Sequence, residues 1–129
     1  MIAVEHIAWQ VQDPNAVAKW YVEHLGFRIL RKLEASPFTH FMADSAGRVV
    51  IELYNNPAAL VPEYPKLNPL HLHLAFATAN MDADRERLLK AGATIAENMI
   101  TTPAGDNLLM LRDPWGFPIQ LCKRAKPML

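Results

Sequence analysis

Two stretches of this chain have nearly the same wording. His6-Ile7-Ala8-Trp9 stands near the N-terminus and His73-Leu74-Ala75-Phe76 near the middle, each a histidine, an aliphatic, an alanine and an aromatic. The segments after these two phrases also repeat. Asp13-Pro14, a helical stretch, Leu25-Gly26-Phe27 and a run ending Val49-Val50-Ile51-Glu52-Leu53 fill the first half. Asn80, a helical stretch, Ala91-Gly92-Ala93 and a run ending Phe117-Pro118-Ile119-Gln120-Leu121 fill the second. An acidic turn precedes both endings, Asp44-Ser45-Ala46-Gly47 and Asp113-Pro114-Trp115-Gly116. A long repeat present twice constrains the chain to two similar supersecondary units, because a solenoid needs at least about three copies to bury its faces.

Periodicity fills in each unit. Residues 2–11 read as a strand whose one face carries Ile7, Trp9 and Val11 and whose other carries His6, Ala8 and Gln10. Asp13 caps a helix with Pro14 in its first turn, where a missing N–H costs nothing, and Gly26 ends it. Strands are expected next at about 27–33, 38–44 and 48–54, the last two joined by a hairpin turn. Four prolines make 57–69 a stiff linker, with one turn of helix expected around 58–60. The second unit opens with a strand carrying Leu72, Leu74 and Phe76 on one face and His71, His73 and Ala75 on the other. Asn80 caps its helix, Gly92 closes it, and strands are expected at about 94–98, 106–112 and 117–123. The fold class is α+β, two β-α-β-β-β modules in a single domain over 1–129, with module one at about 1–56 and module two at about 70–125.

Lysine plus arginine balance aspartate plus glutamate at 13 each, with no basic block. That gives no electrostatic basis for nucleic acid or an anionic membrane. No apolar run approaches the ~20 residues of a membrane span, and the N-terminus opens as a strand rather than as a signal peptide. The single cysteine, Cys122, excludes an intramolecular disulfide and fits a cytoplasmic location.

The residues with chemical potential fall at repeat-equivalent places: His6 and His73 on the first strands, Glu52 and Gln120 on the last. A glutamate inside an Ile-Glu-Leu run is costly to bury unless paired or metal-bound. Taken singly, a strand histidine is more often a hydrogen-bonded core residue, and a strand glutamate more often lies on a solvated face. Recurrence of all four favours one site. Two imidazoles, a carboxylate and an amide oxygen would suit a first-row divalent metal.

The chain resembles the vicinal oxygen chelate superfamily, the glyoxalase/bleomycin resistance/dioxygenase fold, from His6-Ile7-Ala8 through Asp113-Pro114-Trp115-Gly116-Phe117-Pro118-Ile119-Gln120-Leu121; the Trp20-Tyr21 … Leu25-Gly26-Phe27 phrase matches as well. The resemblance implies two modules forming a curved mixed sheet around a central cleft. It implies one divalent metal per site (zinc, nickel, iron, manganese or cobalt) held by His6, Glu52, His73 and Gln120, with Glu52 as the catalytic proton carrier. It also implies a small-molecule substrate and a homodimer, the sites lying within one chain or shared between two.

One departure matters. Glyoxalase I and ring-cleaving dioxygenases carry a glutamate where this chain has Gln120, and an amide cannot move a proton. Exchanging the pseudo-symmetric modules turns the set into that of a methylmalonyl-CoA epimerase. Three readings compete. The first is a metal-dependent lyase or isomerase. The second is a ring-cleaving dioxygenase with His40 or Tyr54 as a further acid. The third is a drug- or metabolite-binding resistance-type protein whose cleft is lined by Trp9, Phe41, Tyr54, Met110 and Trp115, with His71 also able to reach a ligand. Glutathione or coenzyme A recognition would place Arg28, Arg31, Lys32 or Arg48 at the pocket mouth.

Overall fold

The hydrophobic period switches from two to 3.6 and back at the same places in each half, and the structure obeys it. A computed structural model describes residues 1–129, which cluster into two units, Met1–Pro62 and Glu63–Leu129. The first contains β1 (Ile7–Gln10), α1 (Pro14–Leu25), β2 (Arg28–Lys32), β3 (His40–Ala43) and β4 (Val50–Tyr54). Its sheet runs β1-β4-β3-β2, with β1 parallel to β4 and the other pairs antiparallel. The second contains β5 (Leu74–Ala77), α2 (Met81–Lys90), β6 (Thr94–Thr101), β7 (Asn107–Arg112) and β8 (Pro118–Lys123), in the order β5-β8-β7-β6. Each unit is a β-α-β-β-β module of the α+β class.

The helices start where their caps dictate. The Asp13 carboxylate accepts the Ala16 N–H at 3.1 Å, and the Asn80 amide oxygen accepts that of Ala83 at 3.2 Å. Val17, Ala18, Trp20 and Tyr21 recur on the buried stripe of α1, which packs on β3, β4 and β2. Tyr21 sits against Trp9 and Phe27, and Met42, Ile51 and Leu53 complete this core. Burying each such side chain is worth about 1.5–3 kcal/mol. In the second unit Met81 and Leu88 of α2 are buried, the helix packs on β8, and Leu109, Leu111, Ile119 and Leu121 form the sheet's core face. Arg112 ties the chain before β5 to this sheet. Its Nη1 donates to the carbonyls of Tyr64 (3.0 Å) and Gly116 (3.1 Å), and its Nη2 donates to that of Leu67 (2.9 Å).

Several expectations are corrected. The first strand begins at Ile7 rather than near residue 2, and residues 1–6 pair with nothing regular. The strand expected to carry His71 and His73 begins only at Leu74. Asn68 starts a turn there, accepting the His71 N–H on its carbonyl and the Leu70 N–H on its side chain. Leu72 therefore lies outside the strand and is exposed. The short helix of the proline-rich stretch is a 3-10 turn at Tyr64–Lys66, not at 58–60. Strand β6 runs three residues beyond the expected 98, to Thr101.

Candidate functional site

In the first unit the register brings three side chains to one place. Ala8 lies opposite Glu52 across the parallel β1–β4 pair, and Phe41 lies opposite Glu52 across the antiparallel β3–β4 pair. Directly opposed residues share a face, so Ala8, Glu52 and Phe41 form a row on the face that α1 does not cover. Glu52 alternates with the fully buried Ile51 and Leu53, which face α1. His6, just before β1, puts its Nε2 3.0 Å from Glu52 Oε2. Its ring meets Phe41 edge-on, centroids 5.3 Å apart at 81°. Its Nδ1 lies 3.4 Å from the carboxylate of exposed Glu5. Ala8 beside the pair is small enough to leave room over it. Tyr54, half-buried, is one step along the same face and opposes Gln10.

The second unit repeats the register with other chemistry. Ala75 and Met110 both oppose Gln120. The Cys122 thiol donates to Gln120 Oε1 at 3.3 Å. Burial pushes the Cys122 pKa up, against the pull of Arg124 and with the help of Asp106, so the sulfur stays protonated and can donate. His73, just before β5, has its Nδ1 2.8 Å from the Pro69 carbonyl. A carbonyl only accepts, so Nδ1 carries the proton and Nε2 of the neutral ring keeps its lone pair. Metal-binding histidines are typically oriented in this manner.

Residues 3–121 match the family model described as the Glyoxalase/Bleomycin resistance protein/Dioxygenase superfamily. The chain belongs to that superfamily. Its fold is similar to that of a glyoxalase family protein from Bacillus cereus (TM-score 0.81, 16% identity, covering 98% of this chain and 96% of that one). It is also similar to TnmS3, an antibiotic binding protein from Streptomyces sp. CB03234 (TM-score 0.70, 24% identity, 97% and 100% covered). A third likeness is to the glyoxalase family protein from Enterococcus faecalis (TM-score 0.68, 25% identity, 94% and 97% covered). No curated protein matches.

Within this superfamily member, the sites expected from sequence divide by unit and by face. His6, Glu52, Phe41 and Tyr54 are together on the uncovered face of the first sheet. Trp9 and His40 are on the other side: both oppose Leu53, both are buried, and Trp9 packs on Tyr21 of α1. His40 donates from Nδ1 to the Phe38 carbonyl at 2.7 Å, as a satisfied core histidine does. In the second unit Gln120 and Met110 share a row. Trp115 is half-buried in the Asp113 turn, and His71 is exposed before β5. Sequence reasoning missed Cys122 as the partner of Gln120, although its place two residues along the same strand put both on one face.

No three histidine, cysteine, aspartate or glutamate side chains gather into a group that could hold a metal ion. The His6–Glu52 pair nonetheless fits a metal. It is an ion pair at 3.0 Å whose imidazole nitrogen and carboxylate oxygen are donor types that a first-row divalent ion takes. A groove of about 550 Å³ past the start of α1, lined by Gln12, Asp13, Asn15, Ser36, Phe38 and Asn55 among others, contains none of the expected site residues. No helix is long and apolar enough to cross a membrane.

Proposed function

We propose that this superfamily member is a glyoxalase-like, metal-dependent lyase or isomerase that acts on a small oxygen-chelating substrate by proton transfer. The observation that carries the reading is the His6–Glu52 pair, a nitrogen and a carboxylate oxygen in contact at 3.0 Å on an uncovered sheet face beside an aromatic ring. His6, Glu52, His73 and Gln120 would hold one divalent ion per site, in a homodimer, and the ion would polarise adjacent oxygens of the substrate. Glu52 is the one carboxylate of the set. A carboxylate can take and return a substrate proton, which the amide of Gln120 cannot. His73, with Nδ1 fixed by Pro69, presents Nε2. Gln120, whose oxygen accepts from the Cys122 thiol in the folded chain, would contribute a neutral donor, so that with a divalent ion bound the site would keep net positive charge.

The ring-cleaving alternative needs a further acid beside the ligands. His40 cannot supply it from the opposite face, which leaves Tyr54. A binding-protein reading has a specific observation in its favour, the likeness to the antibiotic binding TnmS3 over nearly the whole chain. One experiment separates the two. Wild-type protein and Glu52→Gln are titrated with zinc and cobalt by calorimetry, then assayed for hemithioacetal isomerisation and for α-proton exchange into deuterated water. The lyase reading expects about one ion bound per site and a 10²–10⁴-fold loss of turnover in Glu52→Gln, the usual cost of removing a general base. Wild type that binds no metal and turns over neither substrate replaces it with the binding protein.

A further inference from the structure

The geometry points to Arg31 as the residue that selects the substrate, a small aromatic molecule with chelating oxygens at one end and an anionic group at the other. This rests on the reading of the Glu52 face as a substrate site. The β2–β3 register places Arg31 opposite Phe41, and the β3–β4 register places Phe41 opposite Glu52. Directly opposed residues share a face, so one row crosses three strands with a carboxylate, an aromatic ring and a guanidinium in order. At ~4.8 Å per strand, the Arg31 and Glu52 backbones are about 10 Å apart, close to the length of a substituted benzene ring.

The four basic residues near this sheet are not equivalent. Lys32 opposes His40, on the helix-covered side, and pairs with Glu34 at 3.5 Å. The charge of Arg48 acts on Asp44 in the hairpin turn. Arg28 opposes Ala43 at the hairpin end, its Nη2 leaning over Gly47. Arg31 is exposed, and its side chain has neither a hydrogen bond nor an acidic partner in the folded chain. A planar guanidinium with its donors unused, in line with an aromatic ring, suits bidentate capture of a carboxylate or phosphonate. The irregularity between Ile29 and Arg31 puts Leu30 out of register and brings Arg31, rather than Leu30, level with Phe41.

The test uses two hydroxamates that differ in one group, benzohydroxamate and 4-carboxybenzohydroxamate, both chelating through adjacent oxygens. Zinc-loaded wild type should bind the carboxylate probe about five- to tenfold more tightly, a charge-assisted bond discounted for solvent. The preference should shrink with added salt, fall within twofold in Arg31→Ala and partly return in Arg31→Lys. Equal binding of the two probes by wild type, or an unchanged preference in Arg31→Ala, overturns the proposal. A second arm needs no metal. In metal-free protein at millimolar probe, the Arg31 Nε–H resonance should move with 4-carboxybenzohydroxamate and not with benzohydroxamate. An unmoved resonance overturns the role of Arg31 whether or not a metal binds. Benzohydroxamate affinity that does not respond to zinc instead removes the lyase reading, and the metal-free arm still decides Arg31.

Discussion

The two modules share a register and differ in what they hang on it. Ile7–Ile51, Ala8–Glu52 and Trp9–Leu53 in the first sheet correspond to Leu74–Ile119, Ala75–Gln120 and Phe76–Leu121 in the second. In both, a histidine stands one residue before the first strand. In the first module that histidine meets the acid of the last strand at 3.0 Å. In the second the histidine turns to the Pro69 carbonyl and the amide of the last strand turns to Cys122. Backbone pairing is therefore the duplicated property. The polar wiring is individual, because a carboxylate draws an imidazole whereas an amide is satisfied by a weak neutral donor.

The largest expected difference between the modules is at their matched turn glycines. Gly116 has φ +92°, and a Cβ there would lie 2.4 Å from Pro65 Cγ and 2.7 Å from Pro65 N. Gly47 has φ +68°, and the nearest atom to its Cβ would be the end of the Arg28 side chain at 3.7 Å. Gly116→Ala should cost about 3–4 kcal/mol, backbone strain plus overlap, and Gly47→Ala only about 1. Urea denaturation measures both. Equal costs would mean that the second module's turn can move off Pro65.

The acids that open those turns come next. Asp113 is buried and accepts the N–H groups of Trp115 and Phe117 at 3.0 and 2.9 Å. Asp44 accepts those of Arg48 and Val49 at 2.8 and 2.9 Å nearer to water. Asp113→Ala orphans a buried donor and should cost about 2–3 kcal/mol; Asp44→Ala, whose donors water can reach, should cost about 1. Thermal melts of the pair check this, and the order of the two costs is the point at risk.

The smallest effect concerns acid. Thr78 and Val11 occupy matched positions, each giving its N–H to the last strand, to the carbonyls of Cys122 and Tyr54. Only Thr78 adds side-chain bonds: its hydroxyl accepts the Asn80 N–H at 3.0 Å and donates to Asp84 at 2.6 Å. That bond, opposed by burial and helped by Arg87, holds the Asp84 carboxyl below its ordinary 3.8. A depressed pKa contributes stability that is present above the unfolded value and lost as pH falls through the folded one. Thr78→Val should therefore lower stability by less than about 1 kcal/mol at neutral pH. Below pH 4 its stability should fall less steeply than that of wild type, and melting at a series of pH values reads the difference.

Much of the fold was legible in the chain itself. The duplicated phrases gave two modules, Asp13 and Asn80 marked the helix starts, and Ile-Glu-Leu against Ile-Gln-Leu singled out the two polar residues of the last strands. These are local signals, carried by spacing along one segment. Alternation, however, assigns only relative parity within a strand. It does not say where pairing begins, so alternation alone extends the strand back over His71 and His73, whereas the Asn68 turn delays it to Leu74. Nor does it say which parity faces the helix where both are plausible. His40 and Phe41 are adjacent, and only pairing with Leu53 and Glu52 sends the first to the core and the second to the site. The meeting of His6 with Glu52, and the line from Glu52 through Phe41 to Arg31, join residues remote in sequence. Strand order and register bring them together, and those are set by burying one face of the whole sheet against α1, a property of the folded module rather than of any one segment.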